Sequence, residues 1–360
     1  MKIIVAFILF LLIPCISYSQ KINTDAITKF WQVVDYLKTD KPLNDKVWND
    51  YFSLTGNKEY MEANRSEENM KAHRKYLELL FRPSFADSVK TIEAHLKDYE
   101  NDEIFQNLYF IKLNELRLRP FSKEIQQHAY FENSIKLAKE YLPTEKFDNI
   151  PASLTIYIMA MTYDAAVQDS VMYLGISCVF DLDRFQKGSI LAHELHHILR
   201  INKTSNIELS PRDSATVDII NQINNEGCAD LIDKHIFLDH KSEITMAPVV
   251  KNWLLSTADN TIRKLDSCFI LNSSSNNTFI TSDDFRILTG RSSGHVPGFY
   301  MVDIIKRNGY MKELIHDSDN PFNFIFLYNK AAKTDKSQPS IFSKKTIRYL
   351  RQLNRELLQS

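Results

Sequence analysis

Apolar residues recur at helical spacing along most of this chain, with one interval of strand-like runs near its middle. Behind a cap at Thr24 or Asp25, the residues Ile27, Phe30, Trp31 and Val34 share one face of a first helix, and similar amphipathic stretches continue to about Pro143. Proline or glycine interrupts the periodicity at Lys41-Pro42, Thr55-Gly56-Asn57, Arg82-Pro83-Ser84 and Arg119-Pro120, where breaks are expected. The aromatic stripes of this half read as packing faces, because bundled helices need them. Two short β-rich runs follow, Ser153 to Ala160 and Val171 to Phe180, and predict two strands of a small sheet. Helices resume near Asp183. A Ser/Asn-rich stretch from Leu271 to Asp284 reads as a mobile surface loop. The last helix turns Ile347, Leu350, Leu353 and Leu357 inward and leaves Lys344, Arg348, Arg351 and Arg355 as a solvated face. The expected class is α+β, mainly α-helical, with a helical region over 20–150, a core over 151–310 that holds the sheet, and a C-terminal helical region over 311–360.

The first residues change the picture of where the protein works. Lys2, an apolar run from Ile3 to Ile13 and the small residues around Ser17-Tyr18-Ser19 form the pattern of a secretory signal peptide over 1–19. The run is too short for a permanent membrane span, so an exported chain, periplasmic or secreted, with no integral membrane segment after signal removal is expected. Cys15 follows Leu-Ile-Pro, and Pro14 fits poorly where a lipoprotein acceptor wants a small residue, which argues against a lipid anchor. The formal net charge is −1 over 360 residues and becomes −2 once Lys2 leaves, so nothing favours capture of nucleic acid or of an anionic membrane. Beyond the leader the cysteines are Cys178, Cys228 and Cys268, too scattered for a disulfide framework or a thiolate zinc cluster.

The chemistry concentrates in LAHELHHILR, Leu191 to Arg200, which holds the pattern H-E-x-x-H as His193, Glu194 and His197. Residues four apart on a helix lie about 40° apart around the axis and about 6 Å along it, so both imidazoles can reach one metal ion. Glu194 then projects beside the metal, where a carboxylate can take a proton from water. The surrounding residues Ile190, Leu191, Leu195, Ile198 and Leu199 suit a buried helix. Catalytic zinc usually takes three protein ligands, so a third should lie downstream. Asn225-Glu226-Gly227-Cys228-Ala229-Asp230 offers Glu226 within a second apolar-patterned helix. Asp230, one turn later, could accept the outer N–H of a ligand histidine, and Gly227 would let the two helices approach closely. His196 falls off the shared face, and Cys228 is turned away as a small buried residue.

At these residues the chain resembles the gluzincin metallopeptidases, whose thermolysin-like members pair H-E-x-x-H with a downstream N-E-x-x-x-D, matched by Asn225, Glu226 and Asp230. With GHVPGFYMVDII, Gly294 to Ile305, the same residues look like a bacterial family of uncharacterised zinc-dependent peptidases. The resemblance implies a zincin-like catalytic domain with an active-site helix pair, a Zn2+ cofactor and a peptide or protein substrate. His295 and Tyr300 are the candidates for stabilising the oxyanion of a tetrahedral intermediate, with Arg291 or Tyr163 as substitutes. The expected reaction is single-step hydrolysis with Glu194 as general base and then proton donor to the leaving amine. A zinc hydrolase of a non-peptide amide or ester, and an inactive metal-stabilised binding protein, are the rival readings.

Overall fold

A computed structural model of the chain describes residues 21–100, 102–143, 150–151, 153–168, 170–200, 209–244, 247–274, 278–290 and 292–358. The expected signal peptide, Cys15 included, lies outside the described residues. The first half is a run of short helices: α1 (Asp25–Leu37), α2 (Asp45–Phe52), α3 (Thr55–Asn64), α4 (Glu67–Phe81), α5 (Ala86–Glu93), α6 (Glu103–Leu113), α7 (Glu115–Glu124) and α8 (His128–Lys139). Their starts are chemically marked: Asn44 caps α2 through Val47 N–H, and Ser66 with Asn69 forms a reciprocal capping box on α4. Two of the expected breaks fall differently. Gly56 lies in the first turn of α3, where a side chain would press to 2.8 Å from Tyr157, so this glycine serves a close contact with the sheet. Pro120 sits inside α7, and the chain breaks instead at Asn114 between α6 and α7.

The sheet has four strands, β1 (Lys21–Asn23), β2 (Thr155–Met159), β3 (Ala165–Gln168) and β4 (Val171–Gly175), in the order β1-β2-β4-β3. β1 and β4 flank β2 in parallel, whereas β3 is an antiparallel edge strand with Ala165 opposite Leu174 and Gln168 opposite Val171. The expected second strand is thus half as long as its apolar run: Ile176 to Phe180 belong to helix α9 (Ile176–Asp183). The turn depends on Gly175, where a Cβ would lie 2.1 Å from the carbonyl oxygen of Thr162. A further strand, β3, lies between the two expected strand runs.

Helices α10 (Ser189–Leu199), α11 (Pro211–Asp239), α12 (Ala247–Leu255), α13 (Ala258–Asn272), α14 (Ser282–Leu288), α15 (His295–Arg307), α16 (Met311–His316), α17 (Pro321–Ala332) and α18 (Lys344–Leu358) complete the chain. Between α13 and α14 the ends of the Ser/Asn-rich stretch are pinned: buried Asn272 accepts from Ile280 N–H at 2.7 Å and donates to Thr216 at 3.1 Å. Residues 275–277 of that stretch lie outside the described residues.

Apolar packing forms two bodies. One joins the N-terminal helices, the sheet, α9 and α10, with Phe30, Phe105, Ile156 and Leu195 fully buried. The other joins α13, α15, α17 and α18 around Phe269, Ile304, Ile325 and Leu350. The long helix α11 belongs to both, contributing Ile219, Ile220 and Ile223 to the second and Ile232, Ile236 and Phe237 to the first. Each such side chain stabilises the fold by about 1.5–3 kcal/mol through burial, so α11 is held firmly by both bodies.

Candidate metal centre

α10 starts at Gly188, whose left-handed backbone (φ 81°) is fixed by Asp183 accepting its N–H at 2.8 Å. A Cβ there would meet the Ser134 hydroxyl at 2.4 Å, so glycine also admits α8. From Ser189 to His196 every residue of α10 is buried, which presents His193, Glu194 and His197 from a helix sealed on its other sides. The far end of α10 is tied to α11: Arg200 donates to Asn225 Oδ1 at 3.3 Å and to the Ser318 carbonyl at 3.0 Å.

Glu226 of α11 faces the two histidines. Its Oε2 lies 3.3 Å from His197 Nε2 and 3.7 Å from His193 Nε2, and no hydrogen bond satisfies that oxygen. The ligand-capable atoms of His193, His197 and Glu226 all lie within 4.8 Å of one another. A buried carboxylate oxygen with imidazole nitrogens around it, each outside good hydrogen-bond range, suits a cation at their centre. Two histidines and one glutamate form a donor set that zinc accepts.

The carboxylate behind His193 differs from the sequence expectation. Asp233 Oδ1, not Asp230, accepts from His193 Nδ1 at 2.8 Å, while Asp230 Oδ1 lies 3.9 Å from that nitrogen. The bond fixes the tautomer with the Nε2 lone pair toward Glu226. Asp230 instead holds His295, whose Nδ1 lies 2.9 and 3.1 Å from its two oxygens. Asp233 follows Glu226 by seven residues and Asp230 follows it by four, so both project on the Glu226 side of α11. That heptad spacing was the available sequence signal for Asp233, though it could not rank the two.

Beneath both carboxylates sits Lys234, with Nζ 2.7 Å from Asp233 Oδ2 and 3.7 Å from Asp230 Oδ1. His193, Asp230 and His295 also offer clustered ligand atoms, but their Nδ1 atoms are engaged with carboxylates and the Lys234 ammonium already supplies the cation. Burial opposes charge on Lys234, yet Asp233 and Asp230 raise its pKa. Burial acts to raise Asp233, but Lys234 and His193 hold it ionised below the usual range.

His295 opens α15 and reaches the centre, its Nε2 3.3 Å from Glu226 Oε2. The reason is a glycine crossing. A Cβ on Gly227 would lie 2.7 Å from the Gly298 carbonyl oxygen, and one on Gly298 would lie 2.5 Å from that of Ile223. Gly227 therefore admits α15, whereas the sequence reading had it admitting α10. Tyr300, the other oxyanion candidate, turns to Asp259 Oδ1 at 3.3 Å and does not line the cavity at the centre. Tyr163 donates to Asp181 at 2.7 Å, and Arg291 lies outside the described residues. His196 is buried behind α10 and burial lowers its pKa well below the histidine range. Cys228 is buried against Asn224.

The electrostatics separate the two glutamates. Burial raises the Glu194 carboxyl above its usual range, Glu226 and Asp164 add to the shift, and His193 and His197 oppose it. Burial would raise Glu226 too, but His197 and His295 outweigh it and hold that carboxyl well below the usual range. One carboxyl is thus biased toward taking a proton and the other toward staying anionic. For His295, burial opposes charge but Asp230 and Glu226 raise its pKa.

These groups line a cavity of about 510 Å³, bordered by Ala165, Ala166 and Val167 of the edge strand β3 and by Trp253 of α12. A family model described as "Putative zinc dependent peptidase (DUF5700)" matches residues 48–337. No curated protein and no solved structure matches the chain.

Proposed function

The chain belongs to the family described as "Putative zinc dependent peptidase", and we propose that it hydrolyses peptide bonds with His193, His197 and Glu226 as zinc ligands and Glu194 as general base. The observation that carries the reading is the convergence of the three ligand atoms beside a buried carboxyl of raised pKa. Zinc held by these residues would supply the Lewis acidity that water activation and carbonyl polarisation require.

The chain's own residues do the rest. Glu194 accepts the proton of the attacking water and returns it to the leaving amine, a task that favours a carboxyl whose pKa lies nearer the working pH than that of a free glutamate. His295, whose Nδ1 donates to Asp230 and whose charged form Asp230 and Glu226 favour against burial, donates to the oxyanion from Nε2 as the imidazolium. Asp233 keeps His193 in the tautomer that offers Nε2 to the metal.

A peptide substrate is supported by β3, whose outer edge is unpaired among the described residues and whose first three residues border the cavity. An extended peptide can add to such an edge through main-chain hydrogen bonds. The reading extends to an exported enzyme, which the leader pattern over 1–19 supports.

The test is digestion of an unbiased peptide library by the zinc-loaded protein and by Glu194→Gln. Wild type should cleave, and the variant should lose about a hundredfold to ten-thousandfold in rate with zinc content unchanged. A zinc-filled wild type that cleaves no peptide rejects the reading.

A further inference from the structure

A second cavity, of about 300 Å³, opens beside the one at the metal centre, and the two share Asp164 and Trp253 as their common border. Its wall includes the apolar side chains of Ile104, Met161 and Val250, and Trp253 is 41 % exposed. The Trp253 ring lies 5.6 Å from that of His295, which places it beside the proposed metal centre.

Asp164 immediately precedes β3 and its side chain is open to the cleft. Among the described residues it has no ion-pair partner, because every nearby cation is committed elsewhere. Arg65, which lines the same cavity, binds Glu103 at 3.2 Å and Thr162 at 3.3 Å. Lys234 is held by Asp233 at 2.7 Å, and His295 by Asp230 at 2.9 Å. Arg65 is shared with Glu103, so among the described residues the Asp164 carboxyl at the border between the cavities feels Lys234, His295 and Arg65 only at a distance and pairs with none of them. Protein on the other sides of Asp164 raises its carboxyl above the usual range, a desolvation that an incoming cation relieves.

From this juxtaposition we propose that Asp164 and Trp253 form a subsite for a basic side chain, lysine or arginine, on the substrate residue next to the scissile bond. The apolar wall packs the methylene stem, the Trp253 face attracts the cation, and the Asp164 carboxylate accepts its N–H bonds. The subsite deepens the peptidase reading and rests on it.

The test measures affinity rather than turnover. Matched Nα-acetylated peptide hydroxamates carrying lysine or uncharged norleucine beside the chelating group are titrated into the zinc-loaded full chain. Wild type should prefer lysine by about tenfold or more, as a charge-assisted bond implies. In Asp164→Asn, with zinc content and melting temperature checked, the ratio should collapse toward one, and Asp164→Glu should restore part of it. Equal binding of the pair by wild type overturns the proposal, as does a full preference retained in Asp164→Asn. Preference that appears only when the α-amine is left unacetylated assigns the charge to the chain terminus and also overturns it. Lysine preference without cleavage of any peptide leaves the subsite standing and rejects the peptidase reading; cleavage without charge preference does the reverse.

Discussion

Two histidine–carboxylate pairs meet at the centre, and they are built differently. His193 sits in the middle of the sealed helix α10, its side chain 5 % exposed, and bonds Asp233. His295 is the first residue of α15, its side chain 21 % exposed, and bonds Asp230. The first pair is embedded in the body that contains the sheet; the second arrives on a helix of the other body through the Gly227–Gly298 crossing. Both rest on α11 and on the single ammonium of Lys234. Under the proposed function, the more deeply buried of the two histidines holds the metal and the one at the cleft's edge meets the substrate oxygen.

The largest effects should come from removing one chemical group on each side. Glu194→Gln should cost about a hundredfold to ten-thousandfold in kcat, and His295→Ala about a hundredfold to a thousandfold, the loss typical of one oxyanion donor. Both should keep their zinc, which metal analysis would check. Zinc lost from His295→Ala would make His295 a ligand and erase the difference between the pairs.

Lys234→Met tests what the pairs share. It leaves two buried carboxylates without their cation, an uncompensated burial that costs about 3–5 kcal/mol. A large fall in melting temperature of the metal-free protein is expected, with zinc binding restoring part of it. A melting temperature equal to wild type would show that the lysine does not join the two sides.

The next contrast separates the carboxylates. Asp233→Ala should weaken zinc affinity by about tenfold to a hundredfold, whereas Asp230→Ala should act on the rate instead. Chelator competition and steady-state kinetics read the two effects, and interchanged results would restore the role that the sequence alone suggested for Asp230.

The smallest effect is in pH. Burial opposes charge on His193, but Asp233 overrides it, so the metal-free imidazole stays protonated above the usual histidine range. Zinc must displace that proton, so apparent affinity should fall as pH drops below the raised pKa and keep falling through the ordinary histidine range. The same raised pKa stabilises the metal-free fold at pH below the unfolded histidine value, and that stabilisation disappears as pH rises through the folded value. Calorimetry in buffers of different ionisation heat counts the released protons, and Asp233→Ala should release fewer.

What the sequence determined by itself was whatever depends on neighbours along one helix. Four-residue spacing puts His193 and His197 on one side of α10, and apolar periodicity announced α1, α18 and the burial of α10. The length of β4 was not so legible, because an apolar run satisfies a buried strand and a buried helix equally, and the carbonyl of Thr162 made the difference at Gly175. Asp230 and Asp233 lie on the same side of α11, so helical spacing could not choose between them. Only the packing of α15 against Gly227 decided that Asp230 faces His295, which leaves Asp233 for His193. Asp164 and Trp253 were likewise silent in the sequence, since an aspartate before a strand and a tryptophan in a helix acquire meaning only from the cavity between them.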